Sequence, residues 1–419
     1  MTRSSLRKVS YTSKETRWYR KRFPPHTTAQ TLKVSETFRV YSHECSGPST
    51  VGNDLYPLQR AAACILEADR AARRRKDCCA HATEKREGTI AAILDGLRAI
   101  SPPPTVFFGG IGVPLAHPKT IDMIARVKAT GATAEMITNG TLLDDKRSRR
   151  LIDAGLDVLW VSIDGTTPES YADLRMGAEL PHVLDNLARF RRARRPAHRP
   201  TPVIGVAFVA MRRNIRDLPE VIAIGRRHGA TRFMVTNVLP YSPQMCDETL
   251  YDHTLNDIAY LPSPWLPRLS MPKMQLDDDT AETFVRVLKS NLNVTFAGNN
   301  LGGANDVCIF VESGAMAVGW DGSVSPCPPL PHTHVGYLRR HRRVSYRHII
   351  GNVAERGLLD LWRDPDYVAY RERIHSFAFA PCTSCGGCEL VDTNATDCFD
   401  SPPPACGGCL WAQAVIQCP

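Results

Sequence analysis

The sequence predicts an α/β fold, a parallel sheet with helices outside it, followed by a cysteine-rich region built to hold metal. Two observations carry this. Between about residues 105 and 240 short apolar runs alternate with helical patterns. From Cys308 onward nine cysteines gather, seven of them within Cys382–Cys418. A chain of 419 residues is long enough for two or three domains and a large core.

Residues 1–52 are basic and poorly periodic, and read as an N-terminal arm. Residues 53–300 form the α/β region. Its opening, residues 53–80, holds Cys64, Cys78, Cys79 and an arginine run, without strand periodicity. A helix is expected over residues 87–99, with Ile90, Ile93, Leu94 and Leu97 on one face. The rhythm then sets in. Strands are expected at Thr105–Gly110, Thr133–Gly140, Val158–Gly165, Pro202–Met211 and Arg232–Pro240. Between them helices are expected at His117–Thr130, Asp144–Ala154, over 167–195 and at Leu218–His228. Strands this apolar are buried on both faces, which implies a parallel sheet. Each ends in glycine or polar residues: Gly109-Gly110, Thr138-Asn139-Gly140, Ser162 to Gly165, Thr236-Asn237. In α/β folds ligands bind at those carboxyl ends, so the endings suggest one site built by several strands. Arg232–Pro240 closes the series, and residues 241–300 read as a connector with a helix near Thr280–Ser290. Residues 301–419 form the cysteine-rich domain, with a hairpin end and a helix over Ile349–Ile374 between Cys327 and Cys382.

Fourteen cysteines in a chain with no apolar signal segment at its start point to metal or redox chemistry in the cytoplasm rather than to disulfides. Buried free thiols are the plain alternative, and suit Cys246, which stands alone. No apolar run reaches the eighteen residues that span a bilayer, so no membrane is expected. The net charge of +9 lies in patches at Arg17–Arg22, Arg189–Arg199 and Arg339–Arg347. No nucleic-acid motif accompanies them, so they read as solvated surface, open to a small acidic electron donor, with no nucleic acid as partner. In the tail, Cys382/Cys385 and Cys406/Cys409 are spaced to grip one centre from a single turn, and glycines such as Gly386, Gly387, Gly407 and Gly408 let the backbone curl around it. On spacing alone zinc and iron–sulfur clusters are equally served. Trp320, Trp362, Tyr367 and Trp411 read as packing residues of this domain.

Several stretches resemble the radical S-adenosylmethionine enzymes that carry a C-terminal SPASM iron–sulfur domain. FFGGIGVPLAHP resembles their glycine-rich second-strand motif, and ITNGT and VSIDGTTPESYADLR their third- and fourth-strand motifs. Cys308, then Gly322 ahead of Cys327, then Cys382–Cys385, resembles the SPASM cysteine pattern, with the usual helix between them in GNV…LLDLW. The closing CGGCLWAQAVIQCP most resembles maturases of tungsten-cofactor oxidoreductases.

The resemblance implies a partial (β/α)6 barrel with a SPASM domain behind it. It implies four-iron clusters, reductive cleavage of S-adenosylmethionine, and a 5′-deoxyadenosyl radical that takes a hydrogen atom from a peptide, protein or metallocofactor substrate. Carried onto this chain, Gly109, Gly110 and Asn139 would lie near the methionine end of that cofactor. Ser162 would contact its ribose with Asp164 beside it, and Val238 would offer backbone to its adenine. Each has a plain reading too: glycine turns, an Asn-Gly turn, and Asp164 as a helix cap. Cys308, Cys327, Cys382, Cys385, Cys388, Cys398, Cys406, Cys409 and Cys418 would hold auxiliary clusters. The resemblance puts Cys308 and Cys327 in the nearer one, completed from the tail, and Cys382 and Cys385 in the outer one. The other assignments stay open.

Two departures strike one ligand. The family's C-x3-C-x2-C triad is missing, and Val113 stands where a glutamate is expected. Either the cleavage site has been lost, or residues 53–85 are out of frame, or Cys45, Cys64 and Cys78 or Cys79 assemble an unusual site. The functional readings are therefore a maturase of this family, a non-catalytic iron–sulfur carrier or scaffold, or a zinc-stabilised interaction protein.

Overall fold

Five of the expected strands pair in sequence order, and two more extend them. In a computed structural model, residues 79–419 are described apart from 111–112, 168–178, 195–200, 252–266, 297–307, 383–387, 418–419 and single residues 291, 320, 339, 381 and 414. Helix α1 (Cys79–Arg98) leads in, with Leu94 and Leu97 buried and Ile90 and Ile93 packed partly against the core. Then follow β1 (Thr105–Phe108), α2 (Thr120–Lys128), β2 (Thr133–Thr138), α3 (Asp145–Asp153), β3 (Val158–Ser162), α4 (Leu180–Arg194), β4 (Val203–Ala210), α5 (Leu218–Arg227) and β5 (Ala230–Asn237). All described pairings in this sheet are parallel, each strand beside its sequence neighbour. A helix follows each of β1 to β4 before the next strand, the kind of crossover that parallel neighbours require.

Residues 241–300 are more than a connector. They add β6 (Arg268–Met271), α6 (Ala281–Leu288) and β7 (Asn293–Phe296), and the parallel sheet runs on to seven strands. RLSM and NVTF are four residues each and were hidden by their brevity, since period-2 patterning needs a longer run to stand out.

Two apolar layers line the sheet. The helix side buries Ile124, Leu151, Leu187, Phe190 and Val221 with the alternate strand residues. The other face gathers Phe107, Val158, Trp160, Ala207 and Met234. Trp160 lies flat over Gly205, its register partner on β4; a Cβ there would come 2.4 Å from the indole, so only glycine fits. The indole N–H of Trp160 donates to Glu135 at 3.1 Å, and Arg232 reaches the same carboxylate at 3.5 Å. Asp144 caps α3, accepting from the Arg147 amide at 2.7 Å.

Beyond the sheet, Cys308 precedes a single turn, α7 (Ile309–Glu312). A small antiparallel sheet follows, β8 (Ala317–Val318) with β9 (Ser323–Ser325). Gly322 turns between them at φ +80°, a conformation glycine adopts freely. The hairpin of β10 (His334–Leu338) and β11 (His341–Ser345) comes next, then β12 (Gly351–Asn352), which pairs with β9. The helix expected over Ile349–Ile374 is two helices, α8 (Leu358–Trp362) and α9 (Pro365–His375). The break falls at Asp364, whose side chain accepts from the Asp366 and Tyr367 amides and caps α9. Trp362 and Tyr367 pack edge to face at 5.5 Å, as packing residues do; Trp320 lies outside the described residues. No helix among the described residues is long and apolar enough to cross a membrane.

Candidate functional site

Four cysteines from three separate segments line one cavity. Cys308 comes from the start of α7, Cys327 follows β9, and Cys406 and Cys409 come from the tail. The cavity has a volume of about 60 Å³ and also touches Tyr370, Arg343 and Trp411. Cys308, Cys327 and Cys406 are each at most 9% exposed. Burial pushes the Cys308 thiol up to about 12, and proximity to Cys409 adds to it. Burial likewise lifts Cys327 well above the usual thiol value, reinforced by Cys308, Cys409 and Cys406. Cys406 and Cys409 move the same way, burial again the main cause. These thiols therefore keep their protons until a metal displaces them.

A cluster held by four thiolates needs room beside the sulfurs, and this cavity has several times the roughly 10–15 Å³ that one water-sized sphere needs. The indole N–H of Trp411 is buried and has no acceptor among the described residues. A cluster sulfide would supply one. Tyr370, stacked on Tyr367, brings its hydroxyl to 3.5 Å from Cys406 Sγ.

A second group of thiols lies beside the first. Cys382 is 8% exposed, and its electrostatic neighbours include Cys398 and Cys388, both exposed. Cys385 falls between Cys382 and Cys388 but lies outside the described residues, as do Cys418, Cys45, Cys64 and Cys78. Asp397 shapes this loop by accepting from the amides of Ala380, Phe399 and Ser401 at 3.0–3.1 Å. Gly407 is obligatory here: a Cβ would come 1.9 Å from the Ala380 carbonyl oxygen, so the two cysteine segments touch backbone to backbone. Cys246 is buried, and its thiol donates to the Ser242 carbonyl at 3.8 Å, as a structural residue would.

One residue of the third basic patch departs from the solvated reading. Arg343 is only 8% exposed. Its guanidinium donates to the Val391 carbonyl, and to the Ala405 carbonyl at 3.4 Å. The alternation of β11 turns this side chain inward, which a run of like charges conceals in sequence.

The strand-end residues do share one edge, as the parallel order requires. Gly109 has no room for a side chain, its Cβ position being 2.4 Å from the Phe107 ring, and Gly110 has φ +130°. Asn139 accepts from the Thr141 amide at 3.2 Å and hydroxyl at 2.9 Å, which makes it a turn former. Ser162 and Asp164 are buried. Asp164 does not act only as the end of its own strand: it accepts from the Val209 amide on β4 at 2.8 Å. The Val238 amide donates to the Ala210 carbonyl at 3.1 Å, and the Val238 carbonyl accepts from the Tyr251 hydroxyl at 3.4 Å. Thr236 and Asn237 turn to the tail: the Gln417 amide donates to Thr236 Oγ1 at 2.8 Å, and Asn237 to the Val415 carbonyl at 2.9 Å. No signal in the sequence distinguishes that role from ligand binding. Val113 packs partly against the main core beside the buried Leu115. An apolar side chain seated there offers no carboxylate to an amino group, so this position does not fit S-adenosylmethionine as the family holds it.

Comparison with known proteins agrees with this layout. The model of the radical SAM superfamily matches residues 78–222, and that of the SPASM iron–sulfur cluster-binding domain matches residues 308–389. The tungsten-containing aldehyde ferredoxin oxidoreductase cofactor-modifying protein of Pyrococcus furiosus is 28% identical over 337 residues, covering 78% of this chain and 86% of the relative. Mycofactocin maturase MftC of Mycobacterium tuberculosis is 23% identical over 308 residues, 71% of this chain and 69% of the relative. PqqA peptide cyclase of Gluconobacter oxydans is 29% identical over 136 residues, 32% of this chain and 36% of the relative. The solved structure of native anSMEcpe with bound AdoMet aligns at a TM-score of 0.45 and 14% identity, over 78% of this chain and 86% of that one. With a parallel α/β sheet, a cysteine-lined C-terminal cavity and both family models matching, the chain belongs to the radical SAM superfamily, in the group that carries a SPASM iron–sulfur domain.

Proposed function

We propose that this chain is a maturase of the radical SAM/SPASM group whose tail carries two auxiliary four-iron clusters and which acts on a peptide, a protein or a metallocofactor precursor. The cavity shared by Cys308, Cys327, Cys406 and Cys409 carries the reading. These four would hold the nearer cluster. Cys382, Cys388 and Cys398 would hold the outer one, with Cys385 or Cys418 to complete it. When bound, such clusters supply one-electron chemistry at thiolate-ligated iron. The chain's own residues would keep them dry and set their charge environment: Leu330 and Leu410 line the nearer cavity, and Tyr370 directs a hydroxyl at Cys406. The named relatives, which modify a cofactor or cyclise a peptide, support the substrate class, a tungsten cofactor precursor included. The basic surface at Arg339–Arg347 suits a small acidic electron donor, and a cytoplasmic setting suits oxygen-sensitive clusters.

A second reading has an observation of its own. Val113 in the core and the missing cysteine triad favour a relative that keeps the auxiliary clusters and no longer cleaves S-adenosylmethionine. Anaerobic purification separates the readings. A brown protein with about twelve irons per chain, two auxiliary clusters and one more for cofactor cleavage, that forms 5′-deoxyadenosine with dithionite supports the maturase. About eight irons without 5′-deoxyadenosine supports the carrier. A colourless, zinc-bearing protein overturns both.

A further inference from the structure

Among the described residues, Arg343 is the one cation of the basic hairpin that the fold draws inward, and it is drawn to a place between the two thiol groups. It lines the same cavity as Cys308, Cys327, Cys406 and Cys409. Burial lowers its pKa, and Cys409, Cys382, Cys406 and Asp392 oppose that, so thiols of both groups lie near it. The CGGC loop is shaped to admit it. A Cβ on Gly408 would stand 2.7 Å from Arg343 Nη1 and 2.9 Å from Cζ, so the guanidinium lies directly on the backbone between Cys406 and Cys409. Its two backbone acceptors, Val391 and Ala405, belong to the two cysteine segments on either side. It takes no part in the ion pairs formed among the described residues.

A guanidinium stays charged even when buried, and a buried charge demands compensation. Two carbonyls satisfy some of its donors without cancelling its charge. A thiolate-ligated cluster on each side would cancel it. Each one-electron reduction adds a negative charge to a cluster, and a fixed cation in a low-dielectric site favours that step. We propose that Arg343 is a positioning residue shared by both auxiliary cluster sites, setting their reduction potentials together from a single buried charge. This rests on the reading that the two thiol groups hold clusters. A purely mechanical role, tying Val391 to Ala405, makes no such demand on potential.

The test uses the full chain, purified anaerobically and reconstituted, as wild type, Arg343→Gln and Arg343→Lys. Iron and sulfide are measured per chain, and both clusters are titrated by EPR-monitored potentiometry. The expected result is that Arg343→Gln loads iron as wild type does and disfavours reduction of both clusters at least tenfold, a shift of about 59 mV for one electron. Arg343→Lys, which keeps the charge, stays within about threefold, or roughly 30 mV at the same scale. Unchanged potentials in Arg343→Gln, or a shift of one cluster alone, overturn the proposal. If Arg343→Gln fails to load, pulsed EPR of reduced wild type labelled with 15N-arginine decides: nitrogen couplings on both cluster signals support it, and their absence on either overturns it. A wild type without iron overturns this proposal and the underlying reading together, whereas loaded clusters with unmoved potentials sink this one alone.

Discussion

Asn237 holds Val415: its side-chain amide, at the end of β5, donates at 2.9 Å to the Val415 carbonyl 178 residues later. The same amide donates at 2.8 Å to the Lys273 carbonyl. Gln417 completes the join, receiving from Ser270 Oγ at 2.8 Å and donating to the Met271 carbonyl at 2.8 Å. The tail that carries the cysteines is thus tied across the carboxyl ends of β5 and β6. Anything bound by the tail is registered against the strand-end edge.

Asn237→Ala leaves two buried carbonyls without their donor. The expected cost is about 1–3 kcal/mol for each, read as a lower urea midpoint of the apo chain. An unaltered midpoint would mean that water replaces the amide and the tail is held elsewhere.

The two thiol groups should empty separately. Cys327→Ser removes a ligand from the cavity group, and Cys382→Ser from the other. Each variant is expected to lose about four irons per chain and one of the two auxiliary-cluster EPR signals, since each full cluster takes four thiolates. Loss of all iron in either variant would show that the groups form one centre.

Tyr370 should act on one cluster only. Burial, with Cys406, Cys327 and Cys308 close by, holds its phenol well above the usual value, so the hydroxyl keeps its proton and can donate toward Cys406. Tyr370→Phe conserves volume and is expected to cost less than about 1.5 kcal/mol in stability. After reconstitution the nearer cluster should become harder to reduce, because hydrogen bonds to sulfur raise cluster potentials. Equal potentials in both proteins would place the hydroxyl's donation elsewhere. The contrast with Arg343, expected to move both clusters, makes the two substitutions controls for each other.

Asp397 should give the tail an acid limb. Burial works against its charged form, but the amides of Ala380 and Ser401, the Ser401 hydroxyl and the Phe399 amide outweigh that and hold its pKa below the usual carboxylate range. A depressed folded-state pKa contributes stability above the unfolded value of about 3.9, and loses it as pH falls through the folded value. Asp397→Asn should therefore destabilise at pH 7 and flatten the decline below pH 4. Parallel acid limbs in the two proteins would contradict this.

Much of the sheet was legible because helix and strand periods are local. TVFF, TAEMIT, VLWVS, VIGVAFVA and ATRFMVTN appear within a few residues of where apolar runs place them. RLSM and NVTF did not, because four residues beside polar neighbours carry too little pattern and become strands only when β5 offers an edge. The strand-end residues lie along one edge of the sheet, as its parallel order requires. Thr236 and Asn237 looked like ligand groups and proved to be the tail's anchors, a distinction that depends on a partner 178 or more residues away.

By itself the sequence determined the α/β alternation, the family and the presence of a metal-binding tail, because periodicity and the chemistry of clustered thiols are properties of short stretches. The tertiary structure alone decided which thiols share a cavity, since Cys308, Cys327, Cys406 and Cys409 meet only when three distant segments close on each other. It also decided that Arg343, one of a run of surface-like charges, lies buried between them. A strand's alternation sends one side chain of such a run inward, and only the neighbouring backbone, opened by Gly408, determines what it meets there.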